Sequence, residues 1–374
     1  MRQTLLLLLF CSAVFRSYSQ QEITQDSIQD DFDIYGLFQV QTVLQDGEYH
    51  INDGSTHIGL DFVKRISPNL TFYAQIEIGL NLVTSENFDA VVNPNSDKDF
   101  FDLVNPNNDN FGFSSRLGLV GVDLGKYGKF SVGKQWSVYY DIAGWTDYWY
   151  NFGADVTPAY WNDTDGGSSG TGRANNASIY RVSLPTGTNI GLQVQAINKR
   201  YSYGASVIQN IGDLEIGASF IHSDMNEVFK DSVANFTNPM KELVAGFRYM
   251  KRKTYASLNL TSGENRIIKI DGNYTAIPTW GFESVYSHQL NEKWMLIGGF
   301  DYLESRRDYS GKLNSMFNYI LSANYNLSKN AFFYAEFSYK NPDSELSNFT
   351  GFASAIGFIY KTRFFKRKVH EKFF

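Results

Sequence analysis

Three observations predict an all-β chain that closes into a transmembrane, antiparallel, up-and-down β-barrel of about sixteen strands with one inward-folded constriction loop. Segments of about ten residues alternate apolar and polar side chains. Short turns take turns with long polar loops. The composition is rich in rings and glycine and poor in proline, with 30 phenylalanines, 24 tyrosines, 31 glycines and 8 prolines among 374 residues.

The N-terminus sets the compartment. Met1–Arg2 is a short cationic start, Thr4 to Val14 an apolar core, and Ser17-Tyr18-Ser19 a small-x-small cleavage site. Residues 1–19 therefore read as a secretory signal peptide, too short to stay in a bilayer as a span. The single cysteine, Cys11, lies inside it, so the mature chain carries no thiol and does without disulfides in an oxidising space. Formal charge is −6. Loss of Arg2 and Arg16 makes it more negative, which argues against nucleic acid as a partner. After the signal no stretch holds the 18 or more apolar residues of a membrane helix. A polar, acidic leader follows over 20–33, then the barrel over 34–365.

The strand pattern is plain in several places. Phe72, Ala74, Ile76 and Ile78 oppose Tyr73, Gln75 and Glu77. Leu192 and Val194 oppose Gln193 and Gln195. Leu243, Ala245 and Phe247 oppose Glu242, Gly246 and Arg248. Phe333, Ala335 and Phe337 oppose Tyr334, Glu336 and Ser338. A period of two puts each set on one side of a strand. The short connections are SPNL at 67–70, GKYG at 125–128, LPTG at 184–187, GD at 212–213, KRK at 251–253, NEK at 291–293 and SKN at 328–330. Trp280, Trp294, Tyr302 and Tyr360 stand near strand ends, as in an aromatic girdle at headgroup level. A soluble sandwich would share the alternation but not the turn rhythm or the girdle. In a barrel this wide the polar faces point inward and hold water. The partners are then outer-membrane lipid and lipopolysaccharide outside, and small hydrophilic solutes and ions within.

One stretch breaks the rhythm. Residues 138–171 contain GWTDYWYNFGAD and end near GGSSGTG. Long irregular loops are uncommon and usually functional, and so many rings need cover. Folded into the tube, Trp145, Tyr148 and Trp149 would pack on the inner wall. Asp141, Asp147 and Asp155 would then line the acidic side of a constriction. Arg116 points inward if Leu117, Leu119 and Gly121 face out, and Arg181 and Arg248 point inward by parity. Arg173 sits where the loop rejoins the wall. Carboxylates facing guanidinium groups across a narrow gap select polar solutes. Lys134 shares the outward face of Phe130 and Val132. Lipid disfavours a lysine there by up to ~2–4 kcal/mol, so the residue sits at headgroup level or under a neighbouring subunit, where Glu86 or Asp89 could pair with it.

The stretch Ser115 to Asp155, SRLGLVGVDLGKYGKFSVGKQWSVYYDIAGWTDYWYNFGAD, resembles the core of the Gram-negative general (non-specific) porins. GRANNASIYRVS (Gly172 to Ser183) is similar to that family's return strand, and IYGLFQV (Ile34 to Val40) to its first strand. The resemblance implies a homotrimer of barrels in the outer membrane that passes small hydrophilic solutes. Arg116 matches a base of the family's constriction and Asp147 an acid, with Asp155 a further match. Arg173 or Arg181 matches the next arginine. Lys134 matches a base at the trimer interface. Asn151 stands where members often carry a second loop carboxylate, which weakens the acidic side. The terminal KRKVHEKFF either extends the last strand or hangs as a basic tail over 366–374.

No cofactor is expected. Asp163-Thr164-Asp165-Gly166 has part of a calcium-loop pattern but no downstream glutamate. No histidine sits in a nucleophile motif, so an outer-membrane hydrolase is disfavoured and the chain reads as a non-enzyme. A substrate-specific channel for an oligosaccharide or phosphate is the nearer rival. A phosphate pore would want a ladder of lumen bases. The inward set instead contains Glu77, Glu215, Glu242, Glu283, Asp301 and Glu336, which predicts weak cation preference.

Overall fold

The computed structural model describes residues 30–83, 113–153, 155–163, 165–197, 200–225, 231–270, 273–307, 315–341, 346 and 351–366. The expected signal peptide and most of the leader lie outside them, as do residues 367–374, Glu86 and Asp89. The strands are β1 (Asp30–Gln45), β2 (Glu48–Asn52), β3 (His57–Ser67), β4 (Leu70–Leu80), β5 (Phe113–Asp123), β6 (Lys129–Trp136), β7 (Arg173–Ser183), β8 (Thr188–Ile197) and β9 (Arg200–Ile211). They continue as β10 (Leu214–Ser223), β11 (Met240–Lys251), β12 (Thr254–Ile270), β13 (Asn273–Gln289), β14 (Trp294–Ser305), β15 (Ser315–Asn326), β16 (Ala331–Lys340) and β17 (Gly351–Lys366). The first strand thus begins at Asp30, inside the stretch expected to be leader. The last reaches Lys366, which pairs with Asp33.

Neighbours in sequence are neighbours in the sheet, and β1 pairs with β17 from Asp33↔Lys366 to Gln45↔Ala353. The ring is closed, so the edge strand that lipid would not tolerate is gone. The 17 segments make 16 staves. β2 pairs with the upper part of β1 and β3 with its lower part, so the two form one stave broken at residues 53–56. Thr56 fills the break. Its Oγ1 accepts from the Gln39 N–H at 2.9 Å and donates to the Gln39 carbonyl at 2.9 Å. The side chain thereby satisfies both backbone groups that the missing ladder would leave bare.

The two faces of the wall are inverted relative to a soluble protein. Leu192, Val194, Leu321 and Ile356 are 50–65% exposed, whereas Gln41, Gln193, Gln195, Asn318 and Glu336 are nearly or fully buried. Apolar side chains face outward to lipid and polar ones face the lumen, as the alternation predicted. All seven predicted short connections join consecutive strands.

The wall departs from simple parity at β5. Leu117 and Leu119 pair with Glu77 and Gln75, which face inward, and Val120 is 62% exposed. The expectation that Leu117, Leu119 and Gly121 face outward is therefore reversed. A Cβ on Gly121 would collide with the Tyr73 ring inside the barrel. Arg116 still points inward because of a β-bulge. Glu77 pairs with Leu117 and Ile78 with Ser115, which leaves Arg116 as the extra residue. A bulge re-aims a side chain in this way.

Candidate functional site

The loop between β6 and β7 lies inside the tube. Its base is pinched shut by Ser137, whose N–H donates to the Gly172 carbonyl at 2.9 Å and whose Oγ donates to the Thr171 carbonyl at 2.8 Å. The same Oγ accepts the Tyr140 N–H at 3.0 Å and starts a one-turn helix, α1 (Tyr140–Ala143). The return passes through Gly166 at φ +71°, where a Cβ would collide with the Gly172 nitrogen, so the turn requires glycine.

An irregular chain buried against a wall has backbone groups that no helix or ladder satisfies. Lumen-facing side chains supply the partners. Gln193 accepts the Val138 N–H at 3.0 Å, and Asn259 donates to the Ile142 and Ala143 carbonyls at 3.1 and 3.2 Å. Glu283 on β13 accepts the Val156 and Thr157 N–H groups at 2.7 and 2.5 Å and the Thr146 hydroxyl at 2.7 Å. Glu336 on β16 accepts three consecutive N–H groups, from Tyr150, Asn151 and Phe152, at 3.0, 2.9 and 2.8 Å. Gln41 on β1 donates to Asn151 at 2.9 Å. These contacts carry the loop along the wall from β8 through β13 and β16 to β1.

The rings of the loop pack on the wall. Trp145 and Ile142 bury against Ile179, Ile221 and Val244 of the wall. Phe152 buries against Val43, Ile320 and Tyr334, with Trp149 packed on the same cluster. Tyr148 stacks on Tyr255 with centroids 4.9 Å apart. Gly299 makes room for Trp149, since a Cβ there would strike the indole.

The charged residues divide into anchors and lining. Asp141 is held by Arg181, with Nη2 to Oδ1 at 2.9 Å, and by the Ser206 hydroxyl at 2.7 Å. Asp155 is held by Lys340 at 3.0 Å and Asn318 at 3.1 Å. Both pairs fasten the loop to the wall, so Asp141, Asp155 and Arg181 are tied down and do not face one another across a gap. Asp147 differs. It accepts the Tyr140 hydroxyl at 2.6 Å and the Tyr160 hydroxyl at 3.1 Å. Burial first, and the Asp147 carboxylate second, push both phenols well up, so they remain protonated donors. Tyr140 stacks on Trp136 at 3.9 Å, and the Arg173 guanidinium lies 5.0 Å from the Trp136 ring and 5.8 Å from the Tyr160 ring.

Arg116 stands on the β4–β5 wall with Nε 2.5 Å from Glu77 Oε1. The Tyr35 hydroxyl donates to Glu77 Oε2 at 3.0 Å, and His57 Nε2 lies 3.7 Å from the same oxygen. Of the three expected bases, Arg116 and Arg173 reach this region, and Arg181 touches its edge by donating to the Trp136 carbonyl at 3.0 Å. Tyr35, His57, Tyr140 and Tyr160 were not anticipated here, and Glu77 was read only as one inward acid among several. Lys134 keeps its outward direction, opposite Gly118. Its acid is Asp165 of the same chain, at 2.5 Å, and it also donates to the Ser115 carbonyl at 2.7 Å.

No protein-family model matches the chain. It is 26% identical over 274 residues to outer membrane porin protein OmpD of Citrobacter koseri, covering 67% of this chain and 70% of that one. It is 27% identical over 282 residues to OmpD of Salmonella typhimurium strain LT2, covering 69% and 70%. Among solved structures, Salmonella typhi OmpF, in complex with daunomycin, superposes with a TM-score of 0.71 at 17% identity, over 91% of this chain and all of that one. The anion-selective porin of Comamonas acidovorans superposes with a TM-score of 0.60 at 13% identity, over 89% and 100%. The chain is thus similar in sequence to outer-membrane porins of Gram-negative bacteria and shares the barrel fold of the solved ones.

Proposed function

We propose that this porin passes small hydrophilic solutes and ions by passive diffusion, with a weak preference for cations and without catalysing a reaction. The observation that carries the reading is the loop pinned across the lumen by Glu283 and Glu336. A tube with a folded-in flap is narrowed, and its polar inner face suits water and small solutes. On this reading the opening runs beside the cluster that Asp147, Tyr140 and Tyr160 of the loop form with Arg173, Arg116, Glu77 and His57 of the wall. Carboxylates and guanidinium groups balance there, so selectivity is modest. The test is the reversal potential of purified protein in planar bilayers under a potassium chloride gradient. We expect a slight excess of potassium over chloride permeability; clear anion selectivity would refute the preference, and absence of stable conductance would refute the pore.

The working unit is a homotrimer on this reading. Support comes from Lys134 and Asp165, a charged pair amid the outward Val120, Phe130 and Val132. Charge on a lipid-facing wall is disfavoured, and a neighbouring subunit would cover it. The rest of the outward belt meets lipid and lipopolysaccharide. Residues 1–19 act as the export signal.

A further inference from the structure

We infer that His57 sets the ion selectivity of this pore according to pH. The inference rests on the diffusion-pore reading above and names the residue that tunes it.

His57 is the first residue of β3, directly below the break in the stave. Its Nδ1 lies 2.5 Å from the Ser55 carbonyl. A carbonyl oxygen only accepts, so Nδ1 carries the proton and Nε2 is the nitrogen left to titrate. Nε2 faces Glu77 Oε2 at 3.7 Å, with the Tyr35 ring edge-on at a centroid distance of 6.3 Å. In the neutral ring, Nε2 and the carboxylate oxygen are both acceptors, so nothing binds them together. Protonation puts an N–H on that line and turns the contact into an ion pair.

The surrounding charges come from every packed element. Tyr35 on β1 donates to Glu77 Oε2, Glu77 itself comes from β4, and Arg116 comes from β5 onto the other oxygen, Oε1. Arg173 of β7 adds a further positive charge to the same field. One carboxylate thus serves one fixed cation at neutral pH and two at acid pH. With His57 neutral, the Glu77–Arg116 pair is balanced, and the charges of Asp147 and Arg173, both set against Tyr160, offset each other. With His57 charged, the wall side carries one positive charge in excess.

Acidification protonates the imidazole. A unit charge several ångströms from a passing ion, in a watery gap, changes that ion's partition about threefold. The cation's partition falls and the anion's rises, so the ratio of potassium to chloride permeability should fall by up to about tenfold as acidification protonates the ring.

The experiment measures reversal potential against pH for the full-length porin in planar bilayers, in the wild type, His57→Gln and His57→Lys. The wild-type ratio is expected to fall on acidification. His57→Gln should hold the high-pH ratio throughout, and His57→Lys the low-pH ratio throughout. A conducting wild-type channel whose ratio does not move, or a His57→Gln channel that keeps the full shift, overturns the inference and leaves the pore reading intact. Loss of all conductance in the wild type would instead overturn the pore reading. Heat-modifiable gel mobility reports whether each variant has folded, and the wild-type titration decides the matter even if one has not.

Discussion

Glu336→Ala is expected to free the tip of the inward loop and raise both the conductance and its noise, with the barrel intact. Glu336 is fully buried and accepts the N–H groups of Tyr150, Asn151 and Phe152. Deleting it leaves three donors bare beneath the loop, at a cost of about 1–3 kcal/mol each. Even a net loss of about 3 kcal/mol, after water enters, shifts the bound-to-free ratio of the tip about a hundredfold. The staves keep their own ladders, so heat-modifiable mobility should hardly change. Phe152 leaves the apolar cluster of Val43, Ile320 and Tyr334 at the same time, which makes reinsertion slow and the open state visible as long-lived steps. Single-channel recording checks it. Glu336→Gln is milder, because one amide oxygen still accepts. Unchanged conductance in Glu336→Ala would mean that the packing of Trp149 and Phe152 holds the loop without the carboxylate.

The second large effect is expected at Arg116. Arg116→Ala removes the fixed partner of Glu77 and leaves a nearly buried carboxylate facing the opening. Breaking one half of such a pair is worse than replacing both halves. The ratio of cation to anion permeability should rise by up to about tenfold for the one charge uncovered. Arg116→Ala combined with Glu77→Gln should return selectivity close to the wild-type value, a non-additive outcome that a double-mutant cycle of reversal potentials measures. Additive changes would show that the two side chains act on ions separately.

The barrel was legible in the sequence because lipid outside and water inside impose a period of two that survives in each strand. Leu192, Gln193, Val194 and Gln195 show it within four residues. Arg116 was placed inward by a parity argument that fails at β5. The bulge is set by pairing with β4, and the local pattern of Leu117, Gly118 and Leu119 does not reveal it. The burial of the loop rings was legible because Trp145, Trp149 and Phe152 have to be covered by something. Which acids face the opening was not. Asp155 is held by Lys340, 185 residues away, and Asp141 by Arg181, 40 residues away. Spacing along the chain says nothing of such partners. The weak cation preference was drawn from a tally of inward acids. Glu283 and Glu336 in that tally are loop anchors, and Glu215 is paired with Arg248. What remains at the opening is nearly balanced, which keeps the expected preference small.

The central claim is that the loop lies within a water-filled lumen and narrows it. Its most direct test is cysteine accessibility, since the chain's one cysteine, Cys11, falls in the expected signal peptide. Asp147→Cys and Val194→Cys are each exposed to a small, charged, water-soluble thiol reagent while single channels are recorded. Asp147→Cys should react and its current should drop in a discrete step, whereas Val194→Cys, facing lipid, should not respond. A silent Asp147→Cys channel, or a blocked Val194→Cys channel, would contradict the account.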